Sequence, residues 1–219
     1  MDPRVSLCGV GLCGVILAAG ESSRMGRDKA LLPWPPAKQG TATPANGTFL
    51  SEAILALRPF TDAVIVVGGR NRDNIAPVAE ANGAILLLNP MPEQGQFSSL
   101  RCGLSAVLAR GPAAAMITLV DRPPPKAATL ELLCASFARA RALGRWAVAP
   151  ENEGKHGHPL LAGSELIEAF LAAPLSSNAK EVRGANAQHI AYISVADPWV
   201  ALNVNTPEEY AALARSQSG

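Results

Sequence analysis

Leu17 to Trp34 reads LAAGESSRMGRDKALLPW, and the fold turns on how this stretch is read. It follows an apolar run, Val10 to Leu17, that reads as a buried strand, with Cys13 to Ala18 at its heart. The strand ends in Ala18, Ala19 and Gly20 and passes into a polar loop with two serines, Arg24, Gly26, Arg27 and Lys29. Glycine lets a backbone approach an anion without a side chain in the way. Successive N–H groups in such a loop form a concave anion site. Arg24 and Lys29 add the charge that a triphosphate needs. Neither GxxxxGK[ST] nor GxGxxG is present, so a generic phosphate loop and a dinucleotide-binding dehydrogenase both fit poorly. The plain alternative is a basic surface turn that serves solubility.

Outward from this loop, short apolar runs alternate with helical patterns. Ala63 to Val67 closes on Gly68-Gly69, Ala84 to Leu88 on Asn89-Pro90, and Ala115 to Val120 on Asp121. Continuous apolar runs suit strands covered on both faces. Between them, Leu50, Ile54 and Leu57 form one helical stripe, and Asn74 to Asn82 suits a short helix. Ser98 to Ala109 is a third helix, and Leu132, Leu133, Phe137 and Ala140 mark a fourth. This alternation predicts an α/β chain with a mostly parallel central sheet and helices on both faces. The second half is less regular. Trp146 to Ala149, Pro159 to Ala162 and Ile190 to Val195 read as strands, and Leu166, Ile167, Phe170 and Leu171 as a helical face. A terminal helix is predicted over Thr206 to Arg215, with Thr206 as N-cap and Pro207 at the first position. Pro33 to Gly47 is rich in Pro, Gly and Thr and reads as an irregular loop.

Composition sets limits. At 219 residues the chain fits a single domain, 1–219, which the resemblance given below divides into a nucleotide-binding half at about 12–125 and an acceptor-binding half at about 126–219. A net charge of +1 supplies no global field toward nucleic acid or an acidic membrane, so anion binding must be local. No apolar stretch approaches the ~20 residues of a membrane span. The run after Arg4 has the outline of a short signal peptide, but cleavage near Ala19 would destroy the basic loop. The four cysteines form no C-x-x-C pair. Cys13, Cys102 and Cys134 lie among apolar neighbours and read as free thiols, which points to a cytoplasmic protein.

In open parallel sheets the site lies at the carboxyl ends of the strands. Leu17 to Gly20, Gly68-Gly69, Asn89 and Asp121 therefore converge if the topology holds. An aspartate closing an apolar strand needs a cation or donors. Magnesium suits it beside a triphosphate. The alternative is a helix N-cap, although Pro123 to Pro125 stand between Asp121 and the next helix.

The string LAAG-x-SSRMG-x-x-K resembles the L-A-[AG]-G-x-x-x-R-M-G-x-x-K signature of the molybdenum cofactor cytidylyltransferases and their guanylyltransferase relatives. Four further elements carry the same resemblance: N89-PMPEQGQFSSLRCGL with Gly95, Ser98 and Ser99; Asp121-Arg122-Pro123; GKHGHPL with His156, Gly157 and His158; and Asn203-Val204-Asn205-Thr206-Pro207. The resemblance implies a Rossmann-like three-layer nucleotidyltransferase fold. It implies Arg24, Lys29 and Asp121 as catalytic residues and Mg²⁺ on Asp121 and Asn205, with Asn203 as the other candidate. It implies nucleotide contacts from Leu17, Ala18, Ala19, Gly20, Arg24, Lys29, Gly68, Gly69, Asn89, Gly95, Ser98 and Ser99, and acceptor contacts from His156, Gly157 and His158. Each has a plainer reading: serines cap helices, loop histidines are solvated, and Asn203 and Asn205 end a strand. Two histidines with no third ligand nearby do not suggest zinc. Arg122 departs from the family, where glutamine is usual.

The implied reaction is transfer of CMP from CTP to a phosphorylated acceptor of molybdopterin type, with loss of pyrophosphate. A molybdoenzyme that takes the product is the further partner considered. Ala19 points to CTP, because its methyl leaves less room for a purine; the N-V-N-T-P ending points to GTP. A sugar- or alditol-phosphate nucleotidyltransferase and a non-catalytic cofactor-binding chaperone remain as alternatives.

Overall fold

The computed structural model describes residues 11–20, 22, 25–36, 47–111 and 113–216. Among the described residues the strands are β1 (Leu12–Leu17), β2 (Pro33–Trp34), β3 (Gly47–Thr48), β4 (Ala63–Gly68), β5 (Ile85–Leu88), β6 (Ala114–Leu119), β7 (Ala147–Asn152), β8 (Lys155–His156), β9 (Leu160–Gly163) and β10 (Ile190–Ser194). The α-helices are α1 (Phe49–Leu57), α2 (Arg72–Ala81), α3 (Gln96–Ala109), α4 (Ala127–Ala142), α5 (Ser164–Ala172), α6 (Ala179–Ala185) and α7 (Pro207–Ser216). The main sheet runs β10-β7-β9-β6-β1-β4-β5, with β8 beside β7. β1 pairs in parallel with both β4 and β6, β4 with β5, and β7 with β10. β9 is antiparallel to β6 and β7, so one reversed strand joins the two parallel blocks.

β1 lies at the centre with every residue buried. Its side chains alternate between two cores, as a period of two requires. Leu12 and Ile16 meet α1, α2 and α4 through Leu50, Ile54, Ile75, Leu133 and Phe137. Cys13, Val15 and Leu17 meet α3 and α5 through Leu100, Leu104, Leu166 and Phe170. Helices thus cover both faces, in the expected three-layer α/β arrangement. Gly103 sets the closeness of α3: a Cβ there would lie 2.8 Å from Val15 Cγ1 and 3.0 Å from Val67 Cγ2. The predicted cap at Thr206 forms, whereas Ser98 and Ser99 do not cap α3, which starts at Gly95 without a side-chain cap. Thr206 accepts from the Glu209 amide while the Glu209 carboxylate accepts from the Thr206 amide, a reciprocal box at the start of α7.

Three expectations change. β5 is the sheet edge, and Ile85 and Leu88 are exposed, because a final strand has one neighbour and partial cover. α6 was not foreseen; its sequence AKEVRGA has Val182 as its one buried side chain, too little for a helical stripe. Cys134 is disulfide-bonded rather than a free thiol, with a partner outside the described residues. Cys13 and Cys102 are free. Among the described residues, no helix is long and apolar enough to cross a membrane. Residues 37–46, most of the Pro- and Thr-rich loop, lie outside the described residues.

Candidate active site

A cleft of about 590 Å³ opens over the carboxyl ends of β1 and β6. Leu17, Ala19, Gly20, Ser22 and Lys29 line it, together with Leu119, Val120 and Asp121. Pro92, Glu93, Gly95, Gln96 and Ser99 close the side beside α3. The parallel pairing of Leu17 with Leu119 aligns the two strand ends, so the residues that follow each face the same space.

Lys29 is held in a short 3₁₀ turn (Lys29–Leu31) capped by the Asp28 carboxylate, which accepts from the Ala30 amide at 3.0 Å. The Lys29 amide donates to Ser22 Oγ at 3.1 Å. The side chain then crosses the cleft. Its ammonium donates to Asn205 Oδ1 at 2.7 Å and lies 3.6 Å from Asp121 Oδ2. Asn205 arrives there because Val204 donates its amide to the Asp121 carbonyl at 2.8 Å, strapping the segment before α7 along the end of β6. Residues 176 apart in sequence thus meet at one point. Of the two asparagines, Asn205 is the one that bonds Lys29.

Asp121 Oδ1 is buried with no hydrogen-bond partner among the described residues. A carboxylate oxygen in that state calls for a cation. The described residues hold no cluster of three or more His, Cys, Asp or Glu side chains suited to a metal. One carboxylate and one amide oxygen suit a hard ion that takes its remaining ligands from phosphates and water, as Mg²⁺ does. The donors among the described residues therefore fit Mg²⁺.

Several other predicted residues stand beside the cleft rather than in it. Ala18 is buried; its amide donates to Val67 and its carbonyl accepts from Asn71. Gly68 packs under Ile75, where a Cβ would come within 3.0 Å of Ile75 Cδ1. Asn89 is buried and donates to both Ser98 Oγ and Ser99 Oγ, at 2.8 and 2.9 Å, bracing the 91–95 loop against α3. Ser98 spends its hydroxyl on the Met91 and Gly95 carbonyls, so of this pair Ser99 alone lines the cleft. Gly95 has φ +86°, a backbone that favours glycine, and begins α3 without a side-chain cap. Arg24 lies outside the described residues.

Beside this cleft, and sharing Leu17, Gly95, Gln96 and Leu119 with it, is a second pocket of about 310 Å³. His158 lines it; His156 and Gly157 do not. His156 stacks on Tyr192 at 3.6 Å between centroids and pairs with Glu151 at 3.3 Å. Gly157 is a close-approach position, where a Cβ would fall 2.4 Å from the Val200 carbonyl oxygen. His158 Nδ1 lies 3.2 Å from the Ile117 carbonyl, so the proton sits on Nδ1. Burial, followed by the nearby Arg122 and Arg183 charges, lowers its pKa to about 3 and keeps the ring neutral.

Sequence reasoning missed Asn71. Its amide donates to the Ala18 carbonyl at 2.9 Å and to Asp28 Oδ2 at 2.7 Å, and its Oδ1 accepts from the Gly69 amide at 3.1 Å. One side chain therefore ties the β4 end to the basic loop. An asparagine just after Gly69-Arg70 is an ordinary turn signal, and nothing local marks it as a brace for a loop 43 residues away.

A family model described as a MobA-like NTP transferase domain matches residues 14–190. The chain belongs to this family. The MobA-like assignment agrees with the Rossmann-like nucleotidyltransferase fold described above. The chain is 31% identical to a molybdenum cofactor guanylyltransferase of Xanthomonas euvesicatoria, over 91% of this chain and 93% of that one. It is 25% identical to the molybdenum cofactor cytidylyltransferase of Escherichia coli, over 90% and 92%. A probable molybdenum cofactor guanylyltransferase of Rhodopirellula baltica aligns at 34% over 112 residues, and there the match spans about half of each chain. Among solved structures, a homologue from Mycobacterium sp. strain JC1 of the Mycobacterium tuberculosis protein Rv0371c superposes with a TM-score of 0.72 at 24% identity. That match covers 96% of this chain and 97% of the other and supports the fold.

Proposed function

We propose that this MobA-like protein transfers CMP from CTP to the phosphate of a molybdopterin-type acceptor and releases pyrophosphate, with Mg²⁺ as cofactor. The observation that carries the reading is the meeting of Lys29, Asp121 and Asn205 at the mouth of the cleft. Both substrates are anions. The acceptor's phosphate oxygen forms a bond to the α-phosphorus as the bond to the β-phosphate oxygen breaks, and the electron pair leaves on pyrophosphate. A phosphate nucleophile needs no proton removed, so no general base is required. Catalysis reduces to positioning and charge neutralisation. Lys29 neutralises phosphate charge once the nucleotide enters, and the Asn71–Asp28–Ser22 framework fixes where its ammonium can reach. Asp121 and Asn205 would hold the Mg²⁺, which when bound offsets the charge that develops on the α-phosphoryl group.

Cytidylyl preference rests on Ala19. It lines the cleft where Gly69 and Pro92 crowd in; a Cβ added to Gly69 would lie 3.1 Å from both Ala19 Cβ and Pro92 Cβ. Guanylyl transfer is the second reading, favoured by the Xanthomonas euvesicatoria and Rhodobacter capsulatus guanylyltransferases at 31% and 30% identity. The test is pyrophosphate release from purified protein with Mg²⁺, molybdopterin, and either CTP or GTP. Faster release with CTP supports the proposal. Release with GTP alone replaces it by the second reading, and no release with any nucleotide refutes nucleotidyl transfer.

A further inference from the structure

Asp121 is followed by a connection, Arg122 to Lys126, whose three prolines are buried and supply no N–H. Residues 197–204 lie along it in the opposite direction. The Lys126 amide donates to Asp197 Oδ2 at 2.9 Å, Arg122 Nη1 donates to the Val200 carbonyl at 2.9 Å, and the Val204 amide donates to the Asp121 carbonyl at 2.8 Å. Between the two outer rungs the prolines have no amide to offer, so a side chain supplies the middle one. Asp197 anchors the far end: it is buried and also accepts from Thr129 Oγ1 at 3.0 Å and the Trp199 amide at 3.2 Å. Asn205 follows the last rung and turns its Oδ1 to Lys29. Arg122 lines neither the cleft nor the pocket beside it. Its Nε is buried with no hydrogen-bond partner among the described residues, an arrangement that costs stability. A cation placed at that expense next to Asp121 is accounted for by the strap it holds.

We propose that Arg122 is a positioning residue for the metal: by seating the 197–204 strap it holds Asn205 Oδ1 beside Asp121. The inference rests on the reading that Asp121 and Asn205 hold Mg²⁺. The side chain has two effects of opposite sign. As a positive charge beside Asp121 it repels a second cation, so losing the charge alone would tighten Mg²⁺ binding. As the middle rung of the strap it fixes an oxygen ligand, so losing it weakens Mg²⁺ binding. Mg²⁺ demands near-ideal octahedral geometry, and the positional effect therefore dominates.

The test reads binding, not turnover. Affinity for CTP or GTP, whichever the unaltered full chain binds more tightly, is measured by calorimetry over a range of Mg²⁺ concentrations and without Mg²⁺. Arg122→Met should raise the Mg²⁺ concentration that gives half of the metal-dependent gain about tenfold or more, the scale for residues that support metal ligands. Metal-free affinity should change less. Arg122→Lys keeps the charge and loses the planar fork. It should show a smaller loss, where charge alone predicts none, and it gives the same reading if Arg122→Met does not fold. In an Asn205→Ala chain, Arg122→Met should add no further loss, because the two act through one ligand. An unaltered chain whose nucleotide affinity ignores Mg²⁺ refutes the metal site itself. An unaltered chain that responds, with Arg122→Met half-saturated at the same or a lower Mg²⁺ concentration, overturns the positioning role alone. So does an equal added loss in the Asn205→Ala chain.

Discussion

Lys29 and Asp121 face each other, and Asp121 Oδ1 has no hydrogen-bond partner among the described residues; the proposed catalytic role predicts a loss on mutation larger than that of a structural ion pair. Asp121→Ala leaves the Lys29 ammonium with Asn205 alone, at a cost to folding of about 1–3 kcal/mol. Its expected effect on turnover is larger, about a hundredfold or more in kcat, the scale seen when one electrostatic stabiliser is removed. Steady-state pyrophosphate release together with a thermal melt separates the two effects. A kcat that falls only in proportion to lost fold would assign Asp121 a structural role. Ala19→Gly removes the methyl that narrows the base slot and is expected to raise GTP turnover relative to CTP. An unchanged ratio would sink the steric account of base choice. The three-way meeting behind these predictions was half legible in the sequence. Lys29 sits in the basic loop after β1 and Asp121 directly after β6, both recognisable in the sequence, whereas Asn203 and Asn205 look alike until the Val204–Asp121 backbone bond fixes which one turns inward to Lys29.

Two connections carry the site at the level of elements. The first runs from the end of β4 to the basic loop through Asn71. Asn71→Ala deletes three hydrogen bonds and leaves the Ala18 carbonyl and the Asp28 carboxylate without that donor. The expected outcome is KM for the nucleotide raised about tenfold with a smaller change in kcat, because the loop must now be ordered at the expense of binding. Asn71→Asp should be worse, since it sets two carboxylates side by side. The second is the turn from β8 to β9, fixed by the Gly157 amide to the Pro150 carbonyl and the His158 amide to the Val200 carbonyl, both at 2.8 Å. His158 there titrates near 3 when folded and near 6.5 when unfolded. The unfolded chain therefore binds one more proton between those values, and stability falls as pH drops from about 6.5 toward 3, by at most about 1.4 kcal/mol per pH unit. Replacing His158 with Gln should flatten this limb in a series of melts from pH 7 to 4; an identical slope would mean that His158 does not titrate across unfolding.

Over the whole molecule, the active centre joins a loop after β1, the end of β6 and the strap before α7, drawn from near both ends of the chain. A ligand that bridges these parts binds the folded state alone. At a hundred times its Kd it adds about 2.7 kcal/mol, which corresponds to a rise in Tm of roughly 5–10 °C for a chain of this size. CTP with Mg²⁺ is expected to give a larger rise than CTP or Mg²⁺ alone, and Asp121→Ala to lose the Mg²⁺-dependent part. A Tm indifferent to nucleotide would count against the cleft as a nucleotide site.

Periodicity, strand-end composition and caps are local properties, and the sequence alone determined them: the buried strand before Ala18, the helical stripes of α1, α3 and α4, the reciprocal cap at Thr206. Apolar runs alternating with helical stripes predict a mostly parallel α/β sheet, whereas the strand order, the reversed β9 and the approach of Lys29 to Asp121 came from the tertiary structure. Which polar side chain reaches which partner depends on chain segments far apart in sequence and brought together only by packing. Tertiary structure therefore decided that Asn89 and Ser98 brace the 91–95 loop, that Asn71 ties the basic loop to the sheet, that His156 turns to Tyr192, and that Arg183 reaches the second pocket. A hydrogen bond is made at about 3 Å and lost a little beyond it, and no residue spacing along a chain carries distance at that resolution.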